Sequence, residues 1–167
     1  MEFGELPIIA EDLGEISPEV FKLRDQFNLP GMKILVFAFD SGESNVFLPH
    51  HFNKNCVVYT GTHDNDTAVG WFNRIEEGEK TFAQRYLKSS GEDIAWDLIN
   101  LGWSSKAIFS IAPFQDLLSL DNSTRMNYPG KPQGNWSWRF KEEVLTEEMN
   151  NRLRENNYLF GRTIIRY

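Results

Sequence analysis

The stretch that decides the fold is Cys56–Thr67, with the sequence CVVYTGTHDNDT. It opens on the apolar run Cys56–Tyr59 and changes at Thr60 into small and polar side chains. A short continuous apolar run is typical of a strand that is buried on both faces, as in a parallel sheet. In (β/α) barrels, the functional residues follow the carboxyl ends of such strands. The stretch therefore predicts a buried parallel strand that ends in a functional loop.

The same alternation of apolar runs and helix signals extends to both sides. Further buried-type strands are predicted at Leu6–Ala10, Met32–Phe39 and Ala107–Ala112. Helices are predicted from Pro18 to the Asn28–Gly31 stop, over Ala68–Arg74, Lys80–Leu87 and Ile94–Leu101, and over about Thr146–Asn156. Strands that alternate with helices indicate the α/β class, and four such units make half of an eightfold barrel.

Length and charge exclude several classes of protein. The chain has 167 residues, which suits one domain but is too short for a complete (β/α)8 barrel of about 250 residues. With 17 basic and 24 acidic residues, the formal charge is −7. An acidic balance argues against a nucleic acid or an anionic membrane surface as partner.

The single cysteine and the acidic first residues predict the cellular compartment of the protein. Cys56 has no partner for an internal disulfide, and its apolar neighbours predict that it is buried. No apolar run approaches the roughly 18 residues of a membrane span. The start, Met1–Glu5, is acidic where a secretory signal is basic. We therefore expect a cytoplasmic protein.

Two adjacent acids, Glu11 and Asp12, follow the first apolar run. Both could be solvated carboxylates in a loop that leads to the first helix. Alternatively, one of them projects into a concave site, where partial desolvation lets it act as a general acid.

The densest polar cluster is Thr62–Asp66, with the sequence THDND. One hypothesis is a loop in which Asp64, Asn65 or Asp66 caps the helix that begins near Thr67. A second is acid chemistry, and a third is a metal site. A carboxylate beside one histidine suits sugar binding better than tight metal binding, and the pair His50–His51 is a weaker metal candidate still.

Aromatic and basic residues offer a further indication of a carbohydrate. Trp71, Trp136 and Trp138 are compatible with core positions, but exposed rings near carboxylates also stack on the apolar faces of pyranose rings. Arg125 and Arg139 could pair with carboxylates or donate to hydroxyl groups.

Taken together, these segments resemble the amylomaltases, the 4-alpha-glucanotransferases or disproportionating enzymes of the alpha-amylase clan. The matching blocks are Ile9–Gly14, Val58–Thr67, Gly70–Trp71, Gln115–Leu118, Arg125–Asn127, Pro129–Gly130, Gly134–Trp136 and Trp138–Arg139. They span nearly the whole chain. The resemblance implies that residues 1–167 form a single partial domain, the C-terminal half of a (β/α)8 TIM barrel.

The resemblance also implies a reaction: double displacement at an alpha-1,4-glucosidic bond, with retention of configuration and without cofactor or metal. By position, Glu11 matches the acid/base and Asp64 the carboxylate that stabilises the transition state. His63 matches the histidine that contacts the sugar. Further substrate-binding residues implied in this way are Asn65, Trp71, Asn135 and Trp136.

The attacking aspartate of the family lies on the strand before the Glu11 strand, and no matching motif occurs in this sequence. We therefore expect a piece of a longer enzyme that is inactive by itself and whose partner is the N-terminal half of the barrel. Half of a barrel would be an open parallel sheet with two unpaired edge strands, and such edges favour self-association.

Two other functions are compatible with the same residues. One is a non-catalytic glucan-binding module in which Trp71, Trp136 and Trp138 form a stacking platform. The other is a metal-dependent hydrolase that uses His63, Asp64 and Asp66.

Overall fold

The computed structural model describes residues 7–163 as alternating helices and strands. In chain order these are α1 (Pro18–Gln26), β1 (Gly31–Ile34), β2 (Cys56–Tyr59), α2 (Ala68–Arg74), α3 (Glu77–Leu87), α4 (Ile94–Ser104), β3 (Phe109–Ile111), α5 (Phe114–Leu117) and α6 (Glu147–Leu159). Short 3-10 turns lie at Leu35–Phe37, Gly42–Ser44, Pro49–His51, Asn122–Thr124 and Glu142–Val144. No helix among the described residues is long and apolar enough to cross a bilayer.

The three strands form one parallel sheet in the order β1-β2-β3. Met32 is in register with Val57, and Val57 is in register with Phe109. Because all three strands point the same way, their carboxyl ends meet at one edge of the sheet. This confirms the predicted α/β class and brings the loops after β2 and β3 together.

The core lies between the sheet and the helices α2 to α4. Its fully buried side chains include Ile34, Leu48, Val58, Ala68, Leu98 and Ile99. Cys56 is buried as predicted, with 2% of its surface exposed, and burial raises the pKa of its thiol.

Two predicted strands differ from the structure. Pro7–Ala10 is not a strand: Ala10 N–H donates to the Pro30 carbonyl at 2.9 Å, and one such bond does not make a ladder. Leu6, the first residue of that prediction, lies outside the described residues. The predicted strand Met32–Phe39 ends at Ile34 and continues as a 3-10 turn. An apolar run that is buried on all sides has no periodicity that distinguishes a strand from a 3-10 turn.

Two apolar faces are exposed within the described part of the chain, and one of them belongs to β3, which was predicted as a buried strand. The apolar face of α1 has no buried residue; Leu23 is 55% and Phe27 52% exposed. On β3, Phe109 is 56% and Ile111 40% exposed. These side chains leave apolar surface exposed on α1 and on β3.

Candidate active site

The carboxyl ends of the strands open into a cleft of about 840 Å³. Its lining includes Glu11, Tyr59, His63, Asp64, Arg125 and Trp136. These residues come from three segments: the one that precedes α1, the end of β2 with the loop after it, and the loop that follows Asn122–Thr124.

The adjacent acids Glu11 and Asp12 differ in their surroundings. The Asp12 side chain is 7% exposed, pairs with Arg24 and accepts the Met32 N–H at 2.7 Å. Glu11 is exposed and borders the cleft. Asp12 therefore anchors the segment to β1, while Glu11 is left exposed at the border of the cleft.

Tyr59, the last residue of β2, lines the same cleft as Glu11. Burial raises the pKa of the Tyr59 phenol, and the negative charge of Glu11 raises it further. The phenol therefore keeps its proton and is a possible hydrogen-bond donor at the cleft.

The segment after β2 is held in shape by its own side chains. Asn65 Oδ1 accepts the Thr62 N–H at 2.8 Å and the Thr62 hydroxyl at 2.9 Å. Thr67 caps α2, since its Oγ1 accepts the Gly70 N–H at 3.0 Å. The hypothesis that Asp64, Asn65 or Asp66 supplies this cap is therefore wrong.

Asp66 also lines the cleft, but its side chain is buried against Arg74. Its side chain is 2% exposed; Oδ1 accepts the Thr67 N–H at 2.9 Å, and Oδ2 lies 2.5 Å from Arg74 Nη2. That contact is an ion pair that lacks the geometry of a hydrogen bond. In the part of the chain that the structure describes, no group of three His, Cys, Asp or Glu side chains is arranged to hold a metal ion.

Asp64 and His63 lie together at the cleft, each about half exposed. His63 Nε2 is 3.3 Å from Asp64 Oδ1, and Asn127 Nδ2 donates to the same oxygen at 2.6 Å. Arg125 donates to the Asp64 backbone carbonyl at 2.5 Å. Asp64 Oδ2 has no hydrogen bond to any described residue, so it is available to a ligand.

Trp136 completes this side of the cleft. Its ring centroid is 5.0 Å from that of His63, and 53% of the residue is exposed. Its φ of +59° is in the left-handed region, which is costly for a bulky residue. The Trp136 N–H donates to the Met126 carbonyl at 2.8 Å, which fixes this conformation.

Two residues predicted to bind substrate do not line the cleft. Trp71 is 7% exposed and packs in the core, with its ring centroid 5.7 Å from that of Phe39. Asn135 closes its own loop, because its side chain accepts the Tyr128 N–H at 2.9 Å and donates to the Lys131 carbonyl at 2.8 Å. Asn65, His63 and Trp136 do border the cleft.

The other residues that the sequence singled out have local partners. Trp138 lies outside the main cleft, 5.9 Å from Phe140 between ring centroids. Arg139 donates to the backbone carbonyls of Trp136 and Trp138. His50 and His51 both contact the Glu43 carbonyl, at 3.1 and 2.8 Å, which is a loop role.

Sequence reasoning missed Asn127 and the backbone contact of Arg125. Both belong to the block Arg125–Asn127 of the family resemblance, which was the available signal. Their pairing with Asp64, 63 residues away for Asn127, cannot be read from local patterns.

Comparisons with known proteins show the family of this chain. A family model described as 4-alpha-glucanotransferase, glycoside hydrolase family 77, matches residues 1–146. The 4-alpha-glucanotransferase of Thermus thermophilus is 51% identical over 160 residues, which is 91% of this chain and 32% of that protein. A chloroplastic/amyloplastic 4-alpha-glucanotransferase of Arabidopsis thaliana is 45% identical, over 95% of this chain and 28% of that protein.

A solved structure gives the same answer for the fold. Amylomaltase from Streptococcus agalactiae, in complex with acarbose, superposes with a TM-score of 0.92 and 34% identity, over 96% of this chain and 33% of that one. This confirms the prediction of part of a TIM barrel. The chain spans about a third of the length of the relatives it matches. It belongs to glycoside hydrolase family 77, the 4-alpha-glucanotransferases.

Proposed function

We propose that this chain forms the acid/base side of a 4-alpha-glucanotransferase active site. The full site would move alpha-1,4-glucan segments between malto-oligosaccharides with retention of configuration. The observation that carries the proposal is the shared cleft: two exposed carboxylates, Glu11 and Asp64, border it from different segments, with His63 and Trp136 beside Asp64.

Glu11 is proposed as the acid/base. A retaining transfer needs one carboxyl group that protonates the leaving oxygen and then takes a proton from the incoming hydroxyl. Glu11 is free for this task because its neighbour Asp12 already holds Arg24 and the Met32 N–H.

Asp64 is proposed as the carboxylate that stabilises the transition state. Positive charge grows at the anomeric carbon as the glucosidic bond breaks, and hydrogen bonds from sugar hydroxyls to a carboxylate strengthen with it. Asn127 fixes Oδ1, which leaves Oδ2 to accept such bonds. His63 Nε2 adds a directional contact on the same side.

Trp136 is proposed to stack on a glucose ring. Its exposed indole stands next to His63, and a pyranose presents an apolar C–H face that an aromatic ring covers. Asn65 supports the loop. Because Trp71 is in the core and Trp138 lies outside the cleft, the three tryptophans form no common platform, so the binding-module alternative has no observation in its favour.

The attacking carboxylate is proposed to come from the part of the relatives that this chain does not match. Of the acids that line the cleft, Asp66 is buried against Arg74, which leaves Glu11 and Asp64, both with other tasks. A retaining site needs its two carboxyl groups about 5–5.5 Å apart, one attacking and one donating. We therefore propose that the 167-residue chain by itself transfers no glucose, and that its partners are the remaining barrel and the glucan. A cytoplasmic location stays a prediction, since plant relatives are named as plastidial.

The test is a chimera in which this chain replaces the matching third of the Thermus thermophilus enzyme. Incubated with maltotriose, the chimera should form glucose and longer malto-oligosaccharides, whereas the 167-residue chain should form neither. A chimera that is folded, as shown by a cooperative thermal transition, and yet inactive would contradict the proposal. Transfer by the isolated chain would contradict its second part.

A further inference from the structure

Asp116 is a buried acid that the proposed reaction does not use. It lies on the short helix α5, after the end of β3, with 1% of its surface exposed. Its Oδ2 accepts the Thr60 hydroxyl at 2.5 Å, and its Oδ1 accepts the Ala68 N–H at 2.8 Å. It does not line the cleft.

The two donors lie at the two ends of the segment 61–67. Thr60 is the residue immediately before this segment, and Ala68 is the first residue of α2 immediately after it. His63 and Asp64 lie between these ends. The Asp116 carboxyl group therefore accepts hydrogen bonds from both ends of the segment 61–67 and connects them to the helix that follows β3.

We propose that Asp116 is a positioning residue, whose carboxyl group holds the segment 61–67 so that Asp64 and His63 stand at the cleft beside Trp136. The inference deepens the proposed function, because it gives Asp116 a task only if Asp64 and His63 act on the glucan.

The free energy needed to bury the Asp116 carboxyl group argues against a role of this residue in packing alone. Burial raises the pKa of Asp116, and the charge of Asp66 adds to the rise, while the bonds from Thr60 and Ala68 act in the opposite direction. A buried acid is expensive unless its oxygens are satisfied. Apolar side chains at positions 60 and 116 would fill the same space at less cost, but they would not bond the Ala68 N–H.

The neighbouring residue holds the other side of the site in the same way. Gln115 is 6% exposed, and its Nε2 donates to the Thr124 carbonyl at 3.1 Å. Thr124 directly precedes Arg125, which bonds the Asp64 backbone. The helix α5 is therefore the element from which both loops around Asp64 are tied.

The test is the proximity of His63 and Trp136, measured by proton NMR on the 167-residue chain without glucan. The wild-type chain should show cross-relaxation between the two rings, whose centroids are 5.0 Å apart. Asp116→Ala should lose this cross-peak, because the segment is released at both ends. Asp116→Asn should keep it, since the amide oxygen still accepts the Ala68 N–H and the amide nitrogen can donate to the Thr60 oxygen.

A control separates positioning from general loss of stability. Ala83→Gly removes a methyl group from a fully buried position on α3, away from the cleft, and lowers stability without touching the segment 61–67. Each variant is measured at the same interval below its own melting temperature. If Ala83→Gly loses the cross-peak as Asp116→Ala does, or if folded Asp116→Ala keeps it, the proposal is overturned.

A second pair of variants covers the case in which Asp116→Ala does not fold. Thr60→Val keeps the side-chain shape and removes the hydroxyl that donates to Asp116, whereas Thr60→Ser retains it. We expect Thr60→Val to weaken the cross-peak and Thr60→Ser to preserve it; equal intensities in the two would refute the inference. Because no glucan is present, failure here leaves the transferase proposal standing, and failure of the chimera leaves this geometry standing.

Discussion

The loop after β2 contains two acids, Asp64 and Asp66, and the Asp64 carboxylate is the one exposed at the cleft. Asp66, two residues on, is buried against Arg74, and Asn65 bonds Thr62 within the loop. The difference comes from contacts made by Asn127 and Arg125, which hold the Asp64 side chain and backbone at the cleft.

Asp64→Asn should therefore lower turnover rather than stability. The change removes the negative charge and keeps the size, so the charge-assisted bonds to the sugar weaken in the transition state. Such bonds are worth about 1.5–3 kcal/mol, or roughly a tenfold to hundredfold loss. We expect the loss in kcat of the chimera, with KM and melting temperature nearly unchanged.

The matched control is Asp93→Asn, which removes a half-exposed carboxylate that pairs with Arg152 away from the cleft. It should leave kcat unaltered. Near-wild-type turnover by Asp64→Asn, or an equal loss in the control, would remove Asp64 from the chemistry.

At the scale of elements, the start of α2 illustrates how the sequence places the site. Thr67 caps the helix, and the apolar residues after it pack in the core, so the polar loop before it must stop at the sheet edge. Thr67→Ala should lower the free energy of unfolding by about 1 kcal/mol, because the Gly70 N–H loses its acceptor. Thr67→Ser retains the oxygen and should behave as wild type in urea unfolding. Equal stabilities of Thr67→Ala and Thr67→Ser would show that the cap contributes nothing.

The elements also show what could be predicted and what could not. β2 and α2 have the predicted bounds, because Gly61 and the polar loop interrupt the apolar pattern between them. Only the first part of the apolar run from Met32 forms a strand, and the rest forms a 3-10 turn. Burial on all sides removes the periodicity that would distinguish the two in the sequence. The burial of Trp71 against Phe39 depends on contacts between distant segments, which no local pattern reveals.

At the scale of the whole molecule, the exposed apolar side chains of α1 and β3 have a measurable consequence. Phe109 and Ile111 on β3 and the apolar face of α1 are left open within the described residues. Exposed apolar patches and strand edges promote association. We expect the isolated chain to sediment with a mass that rises with its concentration.

Phe109→Lys should weaken this association, since a charge on the open face of β3 opposes contact. The control is Tyr158→Lys on α6, which is 78% exposed and lies on a different element. A wild-type chain that sediments as a monomer at every concentration, or a Tyr158→Lys variant that dissociates as readily, would contradict the expectation.

The central claim is that Glu11 is the acid/base of a glucan transferase, and rescue by an activated donor tests it most directly. In the chimera, Glu11→Gln should lower transfer from maltotriose by about 10²–10⁴-fold, because the leaving oxygen is no longer protonated. With an alpha-glucosyl fluoride donor, whose leaving group needs no proton, formation of the covalent intermediate should proceed at close to the wild-type rate, measured as release of fluoride in the first turnover. An equal loss on the fluoride and on maltotriose would contradict the assignment of Glu11.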